Sequence, residues 1–153
     1  MKNIKISALF LLLGSISMNA QSLKSPDGKF EMNFQLKSGV PYYNLKYQGK
    51  TVVEDSKLGL RLLRDGDIQF ASEIESKDQK GKDLSEGFTK TEEKFDSKNE
   101  SWNPIMGEKK SYVNHYNELA VTLNQQANDR HIVLKFRLFN DGLGFRYEFP
   151  QQK

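Results

Sequence analysis

HIVLKFRLFNDGLGFRYEF, residues 131–149, alternates twice over. Ile132, Leu134, Phe136 and Leu138 fall on one side of its first half, with Lys135 and Arg137 between them. Phe145, Tyr147 and Phe149 fall on one side of its second half, opposite Arg146 and Glu148. A period of two sends successive side chains to opposite faces of an extended chain, so each half predicts a strand with one dry and one wet face. Asn140-Asp141-Gly142 between them predicts a hairpin whose turn needs positive φ.

The same alternation recurs on either side of this stretch. Phe30, Met32, Phe34 and Leu36 follow a turn set by Pro26 and Gly28. After a loop at residues 37–41, Tyr43, Leu45 and Tyr47 share a face, and Gln48-Gly49-Lys50 turns the chain into residues 51–54 as a hairpin. Leu58, Leu60 and Leu62 predict a further strand before the turn at residues 64–67, and Leu119, Val121 and Leu123 predict another. From Ala71 to Glu100 the pattern fades to polar runs with Ile74, Leu84, Phe88 and Phe95 as anchors, which predicts an elaborated surface loop with one short strand near Phe88. No window carries helical periodicity and no segment repeats. About seven short strands without helices predict an all-β antiparallel sandwich.

Residues 1–20 stand apart from this pattern. Lys2 and Lys5 precede an apolar run from Ile6 to Ile16, and Met18-Asn19-Ala20 supplies a small-residue site. These features predict a secretory signal peptide cleaved after Ala20, because the apolar run is shorter than the roughly 20 residues needed to span a bilayer. The exported chain would reside in the periplasm, and with no cysteine to carry a lipid it is expected to have no membrane attachment after cleavage. The signal holds two of the 23 basic residues and none of the 20 acidic ones, so the net charge falls from +3 to +1. The bases that remain are interspersed with acids, as in residues 89–100, and form no basic stripe to follow a phosphate backbone, which argues against a nucleic-acid partner. The absence of cysteine also excludes disulfides, thiolate catalysis and cysteine-ligated zinc. Residues 21–153 are enough for one domain, since a chain near 150 residues buries roughly two-thirds of its unfolded surface.

Candidate chemistry concentrates in two places. SWNPIMGE, residues 101–108, holds the only tryptophan, and Pro104 and Gly107 would fix it in a defined loop. Trp102 beside Asn103 and Glu108 could stack on the apolar face of a pyranose while polar groups take its hydroxyls, or it could cap one end of the sandwich core. NHYNEL, residues 114–119, gathers Asn114, His115, Asn117 and Glu118 just before an apolar strand. The simple reading is a turn whose side chains bond nearby backbone groups. His131, the other histidine, opens a strand and reads as a solvated strand end. The chain carries neither a phosphate-binding loop nor metal-ligand spacing.

Taken in order, residues 21–32 (QSLKSPDGKFEM), 41–53 (PYYNLKYQGKTVV), 56–62 (SKLGLRL), 102–108 (WNPIMGE), 114–123 (NHYNELAVTL) and 136–152 (FRLFNDGLGFRYEFPQQ) resemble the N-terminal domain of glycoside hydrolase family 97. The resemblance covers nearly all of the chain after the signal, except Ala71 to Glu100. It implies exported enzymes typical of Bacteroidetes that remove α-linked glucose or galactose from glycans. It also implies a β-sandwich resembling galactose mutarotase that precedes a catalytic (β/α)₈ barrel, with calcium between the two. On that resemblance the catalytic acids belong to the barrel and the sandwich's calcium-binding glutamate lies past Lys153. No catalytic residue, metal ligand or cofactor is therefore expected in this chain, and no activity from it alone. Residues 140–150 then resemble an inner strand of a larger sandwich, and the sequence reads as a fragment.

Three functions follow. The chain is the non-catalytic N-terminal domain of an exported α-glycosidase, packing on the barrel and completing one wall of the carbohydrate pocket with residues 102–108 and 114–119. Alternatively it is a free-standing carbohydrate-binding module that holds an α-linked glycan by Trp102 stacking and hydrogen bonds from Asn117 and Glu118, or a structural sandwich with no ligand. The carbohydrate-binding or barrel-facing candidates are Trp102, Glu108, His115, Asn117 and Glu118.

Overall fold

The computed structural model describes residues 22–61, 83–106, 108 and 110–151. The signal-peptide reading, Leu62, the turn at residues 64–67 and the first part of the polar segment lie outside the described residues. Among the described residues eight strands run in chain order: β1 (Leu23–Lys24), β2 (Phe30–Lys37), β3 (Val40–Tyr47), β4 (Lys50–Lys57), β5 (Phe88–Trp102), β6 (Tyr112–Gln125), β7 (Arg130–Leu138) and β8 (Leu143–Glu148). They form two antiparallel sheets, β1-β2-β3-β4 and β5-β6-β7-β8, each in sequence order. The one helical element among the described residues is a 3₁₀ turn at Gln126–Asn128, and no helix among them is long and apolar enough to cross a membrane.

The two sheets face each other through the residues whose alternation predicted them. Leu23, Met32, Phe34 and Leu45 of the first sheet share one core with Leu119, Val121, Leu123, Ile132, Leu134, Phe136 and Leu138 of the second. Phe136 sits at its centre, with the rings of Phe34 and Tyr43 at 6.1 and 6.2 Å across the interface. Tight turns set the register. Ser38-Gly39 and Gln48-Gly49 all take positive φ, giving two-residue hairpin turns whose twist matches that of the strands they join. Gly39 also receives the Phe88 amide on its carbonyl at 3.0 Å, which ties this turn to the opposite sheet.

Four expectations need correction. The β7–β8 hairpin forms, but neither Asp141 nor Gly142 takes positive φ. Four residues separate Leu138 from Leu143, long enough to close through the Phe139 amide on the Gly142 carbonyl at 2.8 Å without the primed turn. Leu58 and Leu60 do not continue as a strand: β4 stops at Lys57, Gly59 takes φ +154°, and Leu60 makes only an isolated bridge to Leu84. The polar segment hides a 15-residue strand, β5, in place of a short one near Phe88. β5 is an edge strand that touches the core only through Phe88 and Phe95, so it needs no apolar alternation to form. The supposed turn at residues 114–119 lies inside β6.

β8 is the other edge of its sheet. Tyr147 is half-buried and donated to by the Gly59 amide at 3.0 Å, while Phe145 touches Phe136 and Tyr43 yet stays 43% exposed. The expected aromatic face is present over Phe145 and Tyr147 and partly wet, while Phe149 lies past the end of β8.

Asp27 joins the turns at one end of the sandwich. Its carboxylate accepts from the Ser25 hydroxyl at 2.7 Å and the Lys29 amide at 3.2 Å, and its own amide donates to Asn140 Oδ1 at 2.9 Å. The Ser25 hydroxyl first, then the Lys29 contacts, lower its pKa from 3.8 to about 2. Because the folded value lies below the unfolded one, this group adds stability above pH 3.8 that is lost as pH falls toward 2. Acid titration of Asp27→Asn should give a flatter stability curve between those values than the parent; equal slopes would deny the carboxylate this role.

Candidate functional site

β5 and β6 are longer than the sheet that carries them. β7 pairs with β6 only over Asn117 to Gln125, whereas β5 pairs with β6 as far as Trp102 opposite Tyr112. Among the described residues, Lys98–Trp102 and Tyr112–Tyr116 therefore pair only with each other and form a two-stranded ribbon. Five residues of extended chain carry it about 15 Å past β7. The connection at residues 103–111 closes its tip.

The period of two divides the sequence candidates. The register places Trp102, Glu100 and Lys98 opposite Tyr112, Asn114 and Tyr116, on the face that continues through Glu118 to Arg137 and away from the core. His115, Asn117 and Val113 point to the other side. The cluster in NHYNEL is therefore not a cluster: His115 and Asn117 lie across the ribbon from Glu118. Asn117 does structural work, its side-chain amide donating to the Lys24 carbonyl of the opposite sheet at 2.8 Å. It lines an open polar cleft of about 460 Å³ with Lys24, Phe95, Asp96 and Ser97. Glu108 stands exposed in the tip connection.

Glu118 is committed as well. It accepts from Arg137 Nε at 2.7 Å, and that bond raises the arginine's pKa. The guanidinium also lies 4.4 Å from the centre of the Tyr116 ring, with Phe139 packed on the same ring at 5.2 Å. Tyr116 is thus buried on the outer face, and this charge-assisted, ring-stacked group fastens the ribbon's base to β7.

Trp102 neither sits in a loop nor caps the core. It is the last residue of β5, and its indole stacks on Tyr112 with centroids 4.9 Å apart and planes 16° apart. The indole remains 53% exposed. One step down the same face, Asn114 Nδ2 donates to Glu100 Oε1 at 2.9 Å and Lys98 Nζ meets the same oxygen at 2.9 Å. Lys98 first and Asn114 second hold the Glu100 pKa below the usual carboxylate range. Around the tip, Ile105 is fully exposed, Met106 nearly so, and Val113 is 70% exposed.

Sequence reading missed Tyr112, Glu100 and Lys98, and it placed Asn114 with His115, Asn117 and Glu118 instead of opposite Glu100. Their signal was pairing, since the cross-strand partners sit at equal distances on either side of the tip. Among the described residues no three His, Asp or Glu side chains gather closely enough to hold a metal ion.

Comparison with known proteins agrees with the fold. The sequence pattern described as Glycosyl-hydrolase 97 N-terminal matches residues 23–153. Two solved structures of a Glycoside Hydrolase Family 97 enzyme from Pseudoalteromonas sp. strain K8, a variant in complex with panose and the enzyme in complex with acarbose, superpose with a TM-score of 0.70 at 27% identity. Each match covers 86% of this chain and 18% of the solved chain. A crystal structure of a beta-arabinopyranosidase shares the fold at TM-score 0.67 and 22% identity, again over 86% of this chain and 18% of its own. The chain therefore spans less than a fifth of these solved relatives, and by its sequence pattern over residues 23–153 it belongs to the glycosyl-hydrolase 97 N-terminal family.

Proposed function

We propose that this chain is the non-catalytic N-terminal sandwich of an exported α-glycosidase, docking on a catalytic (β/α)₈ barrel of the same polypeptide and completing one wall of its carbohydrate pocket. The observation that carries this reading is the β5–β6 ribbon, which projects from the sandwich with Ile105, Met106, Val113 and half of Trp102 in solvent. An apolar tip on a narrow arm is costly in water and gains when a partner covers it. The barrel is the partner of choice because family relatives of known structure are more than five times as long as the matched region. Calcium belongs to that barrel in this reading, and export to the periplasm follows from residues 1–20.

Kinetics of a complete family 97 enzyme carrying this chain at its N-terminus test the reading. Changing Ile105 and Met106 together to Asp should lower kcat/KM for aryl α-glucosides or α-galactosides by roughly tenfold or more, as loss of an anchoring contact does. Residues 21–153 alone should turn over neither substrate, since paired acids held for glycoside hydrolysis are assigned to the barrel. Turnover by the isolated chain that disappears when one of its own acids is changed would overturn the proposal, as would an unchanged kcat/KM in the double variant.

A further inference from the structure

The outer face of the ribbon has a feature that apolar docking does not require. Its aromatic end is rigid: Trp102 and Tyr112 lie nearly parallel at 4.9 Å, and they are directly paired across the strands. Tyr112 takes one side of the indole, and Trp102 as a whole is still 53% exposed. A surface built only to be covered by protein would be expected to continue as apolar side chains. Here the next row, about 7 Å along the strand, is polar and ordered: Glu100, Asn114 and Lys98 are held to one another by two contacts of 2.9 Å.

We propose that this face is a pyranose-binding site, with Trp102 as the stacking platform, Tyr112 as the group that fixes the platform, and Glu100, Asn114 and Lys98 as the hydroxyl-binding row. The chemistry suits a sugar. The C–H face of a pyranose ring is apolar and flat enough to lie on an indole, while its hydroxyls extend past the ring edge toward donors and acceptors. Glu100 offers acceptor oxygens in the ionised state and Lys98 and Asn114 offer donors, so the row can serve a hydroxyl in either direction. Both groups are ordered before ligand arrives, which lowers the entropy lost on binding. The ribbon's base is fastened by Tyr116, Arg137 and Glu118, so the two rows keep their spacing. The assignment replaces Asn117 and Glu118 as sugar contacts, because Asn117 lies on the opposite face from Trp102 and the Glu118 carboxylate is nearly buried against Arg137, whereas Lys98 and Glu100 are about half exposed. It rests on the carbohydrate reading above only for the class of sugar, an α-linked glucan or galactan chain.

Trp102 is the sole tryptophan, so its emission reports this site alone. Titrate the purified chain with maltoheptaose and with raffinose, using sorbitol as a polyol control. We expect a saturable change in Trp102 emission with at least one oligosaccharide and none with sorbitol. Glu100→Gln and Asn114→Ala should each weaken binding by roughly tenfold, the effect of losing one well-placed hydrogen bond, with the far-ultraviolet dichroism unchanged. Tyr112→Ala should abolish the saturable change. Absence of saturation with both oligosaccharides, or affinity that survives both polar substitutions in a folded chain, overturns the site. Neither outcome depends on a barrel, so the titration can fail while the kinetic test of the proposed function succeeds, and the reverse.

Discussion

Phe136→Ala is expected to remove a third or more of the net stability of a domain near the middle of the usual range. Phe136 is completely buried where the two sheets meet, and its ring lies 5.9 to 6.2 Å from those of Phe34, Tyr43 and Phe145. Truncating a buried phenylalanine leaves a cavity as well as lost transfer energy and costs about 3–5 kcal/mol. A domain of this size holds about 5–15 kcal/mol in total. The site cannot collapse easily, because its walls are strands fixed by the ladders of both sheets. Urea denaturation should show a midpoint lowered by about 2 M at an unchanged slope. A loss below about 1 kcal/mol would mean that the sheets do not pack through this ring, since that is less than burial of one large apolar side chain.

Gly59→Ala is the second large effect, and it needs no loss of apolar surface. At φ +154° the backbone is in a region that side chains avoid. An added Cβ would stand 2.7 Å from Ser85 Cα, 2.9 Å from Ser85 Cβ and 3.1 Å from the Leu84 carbonyl. The nearest obstacle is backbone, so relief requires moving the segment at residues 83–86. That motion breaks the reciprocal Leu60–Leu84 amide-to-carbonyl bonds, both 2.9 Å, and strains the Gly59 amide bond to the Tyr147 hydroxyl. Overpacking and backbone strain each cost about 1–3 kcal/mol, so a loss of about 2–4 kcal/mol is expected, with accelerated hydrogen exchange at Leu60 and Leu84. Gly142→Ala is the matched control: nothing lies within 4 Å of its Cβ position and its φ is not positive, so its effect should stay within about 0.5 kcal/mol. Equal effects at the two glycines would remove the steric argument.

The ribbon explains why the least legible part of the sequence is the part with the most to do. Core strands announce themselves because burial demands it: Ile132, Leu134, Phe136 and Leu138 alternate with partly exposed neighbours, and β2 and β7 lie where the alternation placed them. β5 makes no such demand. Twelve of its fifteen residues are polar or charged, and its extended form is set by pairing with β6 and by its place at the sheet edge. Tertiary pairing overrode weak local preference there.

For this protein, the sequence alone determined the all-β class, the face each core strand buries, and the ordered set of segments that resembles its family. All of these depend on local alternation or on linear order, which a chain carries before it folds. Only the tertiary structure decided the site. It put His115 and Asn117 on one side of the ribbon and Glu118 on the other, tied Asn117 to Lys24 and Glu118 to Arg137, and brought Tyr112 onto Trp102 from ten residues away. Cross-strand register is a long-range choice, and a shift of one residue would have exchanged every side chain between the faces.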